Sequence, residues 1–156
     1  MTAGLSLDSR VVALPDAAAT HALGFRLGQA LTRGDVVCLV GGLGAGKTTL
    51  ARGAIEAWTG HGEEAPSPTF TLVQTYEGEK GGLWHADLYR LKRAEEAFEL
   101  GLEEAFADAA CLIEWPERLE GALPADRLDI ELEPMGEGRR AVLTGRGAWR
   151  TRVDAI

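Results

Sequence analysis

The chain has 156 residues, 46% hydrophobic and 26% charged, a size for one domain and a composition that can build an apolar core. No apolar run approaches the roughly 20 residues of a membrane span, and the first residues lack the basic start and apolar stretch of a secretion signal, so a cytoplasmic location is expected. A formal net charge of −8 opposes direct binding to nucleic acid, whose phosphates attract the opposite sign; service to a nucleic-acid pathway is expected to pass through another protein.

In chain order, "SRVVAL" (residues 9–14) reads as a first strand. "PDAAATHALGFRLGQALTRG" follows as a helix that Pro15 and Asp16 begin and Gly34 ends, with Ala19, Leu23, Leu27 and Ala30 on its core face. "DVVCLV" (35–40) is apolar and β-branched, as a buried parallel strand is. "GGLGAGKTTL" (41–50) comes next, and "TTLARGAIEAW" then places Ala51, Ile55 and Trp58 on one helical face. Strand, glycine loop and helix are the context in which G-x-x-x-x-G-K-[ST] binds phosphate. Backbone N–H groups from Gly41, Gly42, Leu43, Gly44, Ala45 and Gly46 are expected to form the cradle, with Thr49 beside them at the helix start. Lys47 is expected to reach the β- and γ-phosphates, and the Thr48 hydroxyl to ligate Mg²⁺. Without nucleotide the Lys47 ammonium is expected in solvent.

"TGHGEEAPSP" reads as a surface loop, "TFTLVQTY" as a strand, "EGEKGG" as a turn and "LWHADLYR" as a strand ending near Asp87. "KRAEEAFELGLEEAFADAA" is helical and broken or kinked near Gly101. "CLIEW" is a short strand ending on Glu114, "PERLEG" a single helical turn, and "RLDIELEP", "MGEG" and "RRAVLTG" a hairpin with Leu128, Ile130 and Leu132 on one face. Cys38 and Cys111 lie in apolar strand-like runs; buried reduced thiols are expected, with a neighbouring placement in the sheet left open. The order of elements indicates an α/β single-domain P-loop NTPase over residues 1–156, with a mainly parallel central sheet, antiparallel edge strands and flanking helices. The nucleotide is expected over the carboxyl ends of the central strands.

Phosphoryl chemistry on such a loop needs an acid at the end of a neighbouring strand. Asp87 and Glu114 both stand there. Three apolar residues lead straight into Glu114, which is assigned to the metal or its water; Asp87 is assigned to water positioning or the metal's outer ligands. His85 shares the Asp87 side of its strand and reads as a structural histidine before a catalytic one. The chain has no asparagine, so the N-K-x-D guanine motif is excluded and ATP is favoured over GTP. No L-S-G-G-Q stretch occurs and no arginine-rich lid stands out, although Arg90, Arg93 and Arg118 could supply one.

Together, "GLGAGKTTLARG", "SPTFTLVQTY", "HADLYRL", "ELGLEE" and "LIEWPERL" resemble the TsaE family, small ATPases of tRNA threonylcarbamoyladenosine biosynthesis, over nearly the whole chain. The resemblance implies an Mg²⁺-dependent ATPase working with TsaD and TsaB on the adenosine beside the anticodon. A weak rate alone is expected because the loop "TGHGEEAPSPTF" is rich in glycine and glutamate and no arginine follows the glycine loop in a finger position. The acidic balance leaves tRNA contact to that complex. By the same resemblance Lys47, Thr48, Asp87 and Glu114 match the phosphate, metal and acidic positions. Ser67 and Thr69 match a switch-like segment, Trp115 a tryptophan that packs or meets nucleotide, and Arg139 a residue that approaches it. Gly42 departs from the family, which usually carries aspartate there. Two other uses of the same loop stay open: a small-molecule kinase, and an interaction module whose hydrolysis is incidental.

Overall fold

The structure is a computed structural model that describes residues 9–60 and 72–156. Its strands are β1 (Ser9–Leu14), β2 (Val36–Val40), β3 (Val73–Gly78), β4 (Gly81–Asp87), β5 (Ala110–Glu114), β6 (Arg127–Met135) and β7 (Gly138–Arg146). They form one seven-stranded sheet in the order β1-β7-β6-β2-β5-β4-β3. The centre, β6-β2-β5-β4, is parallel; β7 and β1 extend it antiparallel on one side and β3 on the other. The expected parallel centre with antiparallel edges is therefore the architecture found.

Alternation along the strands sorts side chains onto two faces. Val37, Leu39, Leu83, Leu112, Leu128 and Ile130 pack with the helices α1 (Ala17–Ala30) and α2 (Lys47–Thr59). Val36, Cys38, Ala86, Cys111 and Ile113 pack on the other side with α3 (Ala94–Glu99) and α4 (Leu102–Asp108). The helical stretch over residues 92–110, expected to break or kink near Gly101, is two helices. Gly101, at φ 90, takes a left-handed conformation that ends one and starts the other. Cys38 and Cys111 are free, buried neighbours on β2 and β5, and burial pushes the Cys111 thiol up to about 12 and Cys38 higher still.

The α1–α2 pair is closer than its leucine face alone would allow. A Cβ at Gly24 would lie 1.9 Å from the Leu50 carbonyl oxygen, and one at Gly53 would lie 2.2 Å from that of His21. Backbone meets backbone there, and this contact holds the start of α2 in place. The Asp16 carboxylate caps α1 by accepting from the Ala19 N–H at 2.9 Å. At the other end the Lys80 ammonium, from the β3–β4 turn, donates to the Gln29 and Leu31 carbonyls, where the helix dipole favours a cation. This helix ends at Ala30, short of the expected Arg33, because Leu31 is already extended.

The last residues had no predicted role. They form short 3-10 turns, Gly147–Thr151 and Val153–Ala155, which bury Trp149, Val153 and Ile156 against the α1/α2 face. No helix among the described residues is long and apolar enough to cross a membrane.

Candidate functional site

A cleft of about 520 Å³ opens where β2, β4 and β5 end. Its floor is the loop from Leu43 to Gly46 and the first turn of α2. Gly41, Gly44 and Gly46 have φ of 153°, 74° and 103°, values that favour glycine. A Cβ at Gly41 would also stand 2.8 Å from the Leu132 carbonyl oxygen. No side chain caps α2, so the amides of its first turn are left for a ligand, at the positive end of the helix dipole. Gly42 differs: a Cβ there would meet nothing within 4 Å, so the aspartate usual in the resembled family would fit.

Lys47 does not extend into solvent as expected. It is buried, donates through Nζ to the Gly41 carbonyl, and lies 3.6 Å from the centroid of the Trp115 ring. Burial lowers its pKa, an effect that the charges of Glu114 and Asp87 oppose. The physical reason is local: the ammonium finds a carbonyl acceptor and an aromatic face within reach of its own helix turn. Trp115 reaches that position because its backbone is left-handed, φ 60 and ψ 52, which turns the chain sharply after β5. Such a conformation costs a bulky residue about 1–3 kcal/mol. Its ring also packs on Tyr89, with centroids 4.9 Å apart. Packing and cleft lining are both roles of this one side chain.

Glu114 and Asp87 end adjacent parallel strands and pair in register. Glu114 is 3% exposed; its Oε2 accepts from His85 Nε2 at 2.7 Å, and both its oxygens lie 3.4 Å from the Thr48 hydroxyl. That separation is longer than a good O–H···O bond. A hydroxyl and a carboxylate face each other with their bonding capacity largely unspent, both hard oxygen donors of the kind Mg²⁺ takes. Among the described residues no group of three or more His, Cys, Asp or Glu could hold a metal alone. Asp87 accepts from the Tyr89 N–H at 3.1 Å; burial raises its pKa, that hydrogen bond lowers it, and the Glu114 charge raises it further.

Arg139, at the start of β7, crosses to the loop. Its Nε donates to the Ala45 carbonyl at 2.7 Å and its Nη2 to that of Gly44 at 2.8 Å. It lines the cleft, yet its hydrogen bonds brace the cradle itself. The structure thus gathers Leu43 to Thr49, Asp87, Glu114, Trp115 and Arg139 around one cavity. Ser67 and Thr69 lie outside the described residues. Sequence reading missed Asp16, Ala17, Thr20, Tyr89 and Glu137, which complete the lining. Asp16 carried only a helix-cap signal, and Glu137 sits in a turn whose tip no local pattern points at a cleft.

The TsaE family model, threonylcarbamoyl adenosine biosynthesis protein TsaE, matches residues 14–142. The chain belongs to the TsaE family. A TsaE protein of Rickettsia felis is 42% identical over 121 residues, 78% of this chain and 71% of its own. One from Treponema pallidum is 39% identical over 117 residues, covering 74% of this chain and 85% of its own. The crystal structure of YdiB from Bacillus subtilis superimposes with a TM-score of 0.73 at 30% identity, covering 94% of this chain and 89% of that one. The matched TsaE span runs from the last residue of β1 into β7 and so contains all of the cleft lining.

Proposed function

We propose that this chain binds ATP with Mg²⁺ and hydrolyses it in the cytoplasm, for threonylcarbamoyladenosine modification of tRNA, acting with TsaD and TsaB and touching tRNA only through them. The observation that carries the nucleotide chemistry is the buried Glu114 carboxylate facing the Thr48 hydroxyl at the mouth of an uncapped helix. Membership of the TsaE family and the names of the relatives support the pathway.

In this reading the loop amides and the α2 N-terminus orient the phosphates. Lys47 exchanges the Gly41 carbonyl and the Trp115 face for phosphate oxygens, bringing its charge to where negative charge develops. Thr48 and Glu114 hold the Mg²⁺, which when bound neutralises phosphate charge. Asp87, next to Glu114 and with a carboxyl held by the Tyr89 N–H, orients the attacking water. Arg139 keeps the cradle from spreading. The outer cleft, between the start of α1 and Glu137, takes the base and ribose.

ATP turnover of the isolated protein, then with purified TsaD and TsaB, tests the proposal together with nucleoside analysis of tRNA from a depletion strain. A weak rate alone, raised by the partners, and loss of the modified nucleoside on depletion are expected. Equal rates with no complex in ATP, or a phosphorylated small product, would overturn it.

A further inference from the structure

His85 stands out once the cleft is built. It is 1% exposed, flanked in the sheet by Gln74 of β3 and Leu112 of β5, and points to the same face as Asp87 and Glu114. Its Nε2 meets Glu114 Oε2 at 2.7 Å, and its Nδ1 is buried with no hydrogen-bond partner among the described residues. A residue kept for stability alone would be apolar in this place. An orphaned polar atom in a core costs about 1–3 kcal/mol, so its retention calls for a reason.

We propose that His85 is a positioning residue that holds the Glu114 carboxylate in the one orientation that leaves it facing Thr48. A glutamate at a strand end has free torsions to lose, and Asp87 beside it presses it away by like charge. A single short hydrogen bond from inside the sheet to Oε2 opposes both effects. It also leaves Oε1 and the outward lone pair of Oε2 free toward the Thr48 hydroxyl, which is what the equal 3.4 Å separations record. The backbone that carries the ring is paired on both sides, and the ring itself is buried. This inference rests on the proposed use of Glu114 toward Mg²⁺ and phosphate.

The test compares His85→Leu, which fills the space without a donor, with His85→Gln, which keeps an N–H donor. Circular dichroism first establishes that each folds. Calorimetry of ADP binding in EDTA and in Mg²⁺ is the readout that does not need turnover. In His85→Leu, affinity in EDTA is expected to stay within about twofold, while the gain on adding Mg²⁺ falls about 10–100-fold, as loss of a residue behind a metal ligand commonly does. ATP turnover should fall in kcat by a similar factor with KM little changed, and His85→Gln should recover most of both. A folded His85→Leu with the wild-type Mg²⁺ gain, or a folded His85→Gln no better than His85→Leu, would overturn the proposal. If wild-type turnover is absent, the ATPase reading fails while the Mg²⁺ gain still judges His85. If ADP does not bind either, ¹⁵N spectra of the imidazoles judge it: the His85 Nε2 resonance must move in Glu114→Gln, and an unmoved resonance refutes the contact.

Discussion

Two buried acids sit at opposite ends of the sheet, and they are treated differently. Asp35, just before β2, is enclosed by donors: Arg152 Nη1 at 2.7 Å and Nη2 at 2.8 Å, with the Thr32 N–H at 2.8 Å and its hydroxyl at 3.2 Å. Arg152 also stacks 3.8 Å over the Trp149 ring, and Arg10 donates to the Ile156 carbonyl at 2.8 Å, so the pair ties the C-terminal turns to the sheet. Glu114, at the end of β5, has one short hydrogen bond, from His85, and two long contacts to Thr48. A saturated carboxylate holds a fold together and has nothing left to offer a ligand. An undersaturated one costs stability and keeps its bonding capacity for something that arrives. The two ends of one sheet thus separate cohesion from chemistry.

Substitutions can break that separation. The largest effect is expected at the undersaturated end, where Glu114→Gln should retain ATP binding but lower turnover by about 10²–10³. Thermal melts should move little, since the amide still accepts from His85. If Asp87→Asn is the more damaging of the two in a turnover assay, the roles of the acids are exchanged. Next comes Lys47→Ala, which removes a charged hydrogen bond to phosphate worth about 1.5–3 kcal/mol and should weaken ATP binding roughly 10–100-fold by calorimetry. Because Lys47 is stacked on Trp115, the nucleotide-free protein should also lose a little stability and change its tryptophan fluorescence.

At the saturated end, Arg152→Ala should cost about 2 kcal/mol, since it strips charged hydrogen bonds from a mostly buried carboxylate. At this chain length that is a fall of about 4–8 °C in Tm. ATP affinity should be unchanged, and a drop there would show that the two ends are coupled. The smallest effect concerns pH. Burial lifts the Asp87 carboxyl above its unfolded value, so the folded state holds that proton more tightly. Stability from this group therefore declines as pH rises from the unfolded toward the folded pKa, and the decline is complete above the latter. Asp87→Asn should remove that part of the slope in denaturant midpoints measured through the acid range.

Much of this molecule was legible without coordinates. The glycine loop, with an apolar strand before it and an amphipathic helix after it, is a local pattern, and so are the acids that close "WHAD" and "CLIE". Local patterns survive folding because neighbours in the chain are neighbours in space. The hairpin at the end and the break at Gly101 were legible for the same reason.

Tertiary structure decided what depends on residues far apart. That Asp87 and Glu114 stand side by side follows from β4 and β5 being paired in register. That His85 holds Glu114 follows from a separation of 29 residues closed by the sheet. The same holds for Arg139 bracing the loop 94 residues earlier and for Arg152 locking Asp35 across 117. Lys47 was expected in solvent because the motif says nothing of what stands opposite. The left-handed turn at Trp115, which brings an aromatic face onto that ammonium, is a product of packing. Sequence alone singled out the glycine loop, Lys47, Thr48, Asp87 and Glu114. Only the sheet decided which of those groups are held, and by what, because a side chain's partners are set by strand order and register rather than by its neighbours along the chain.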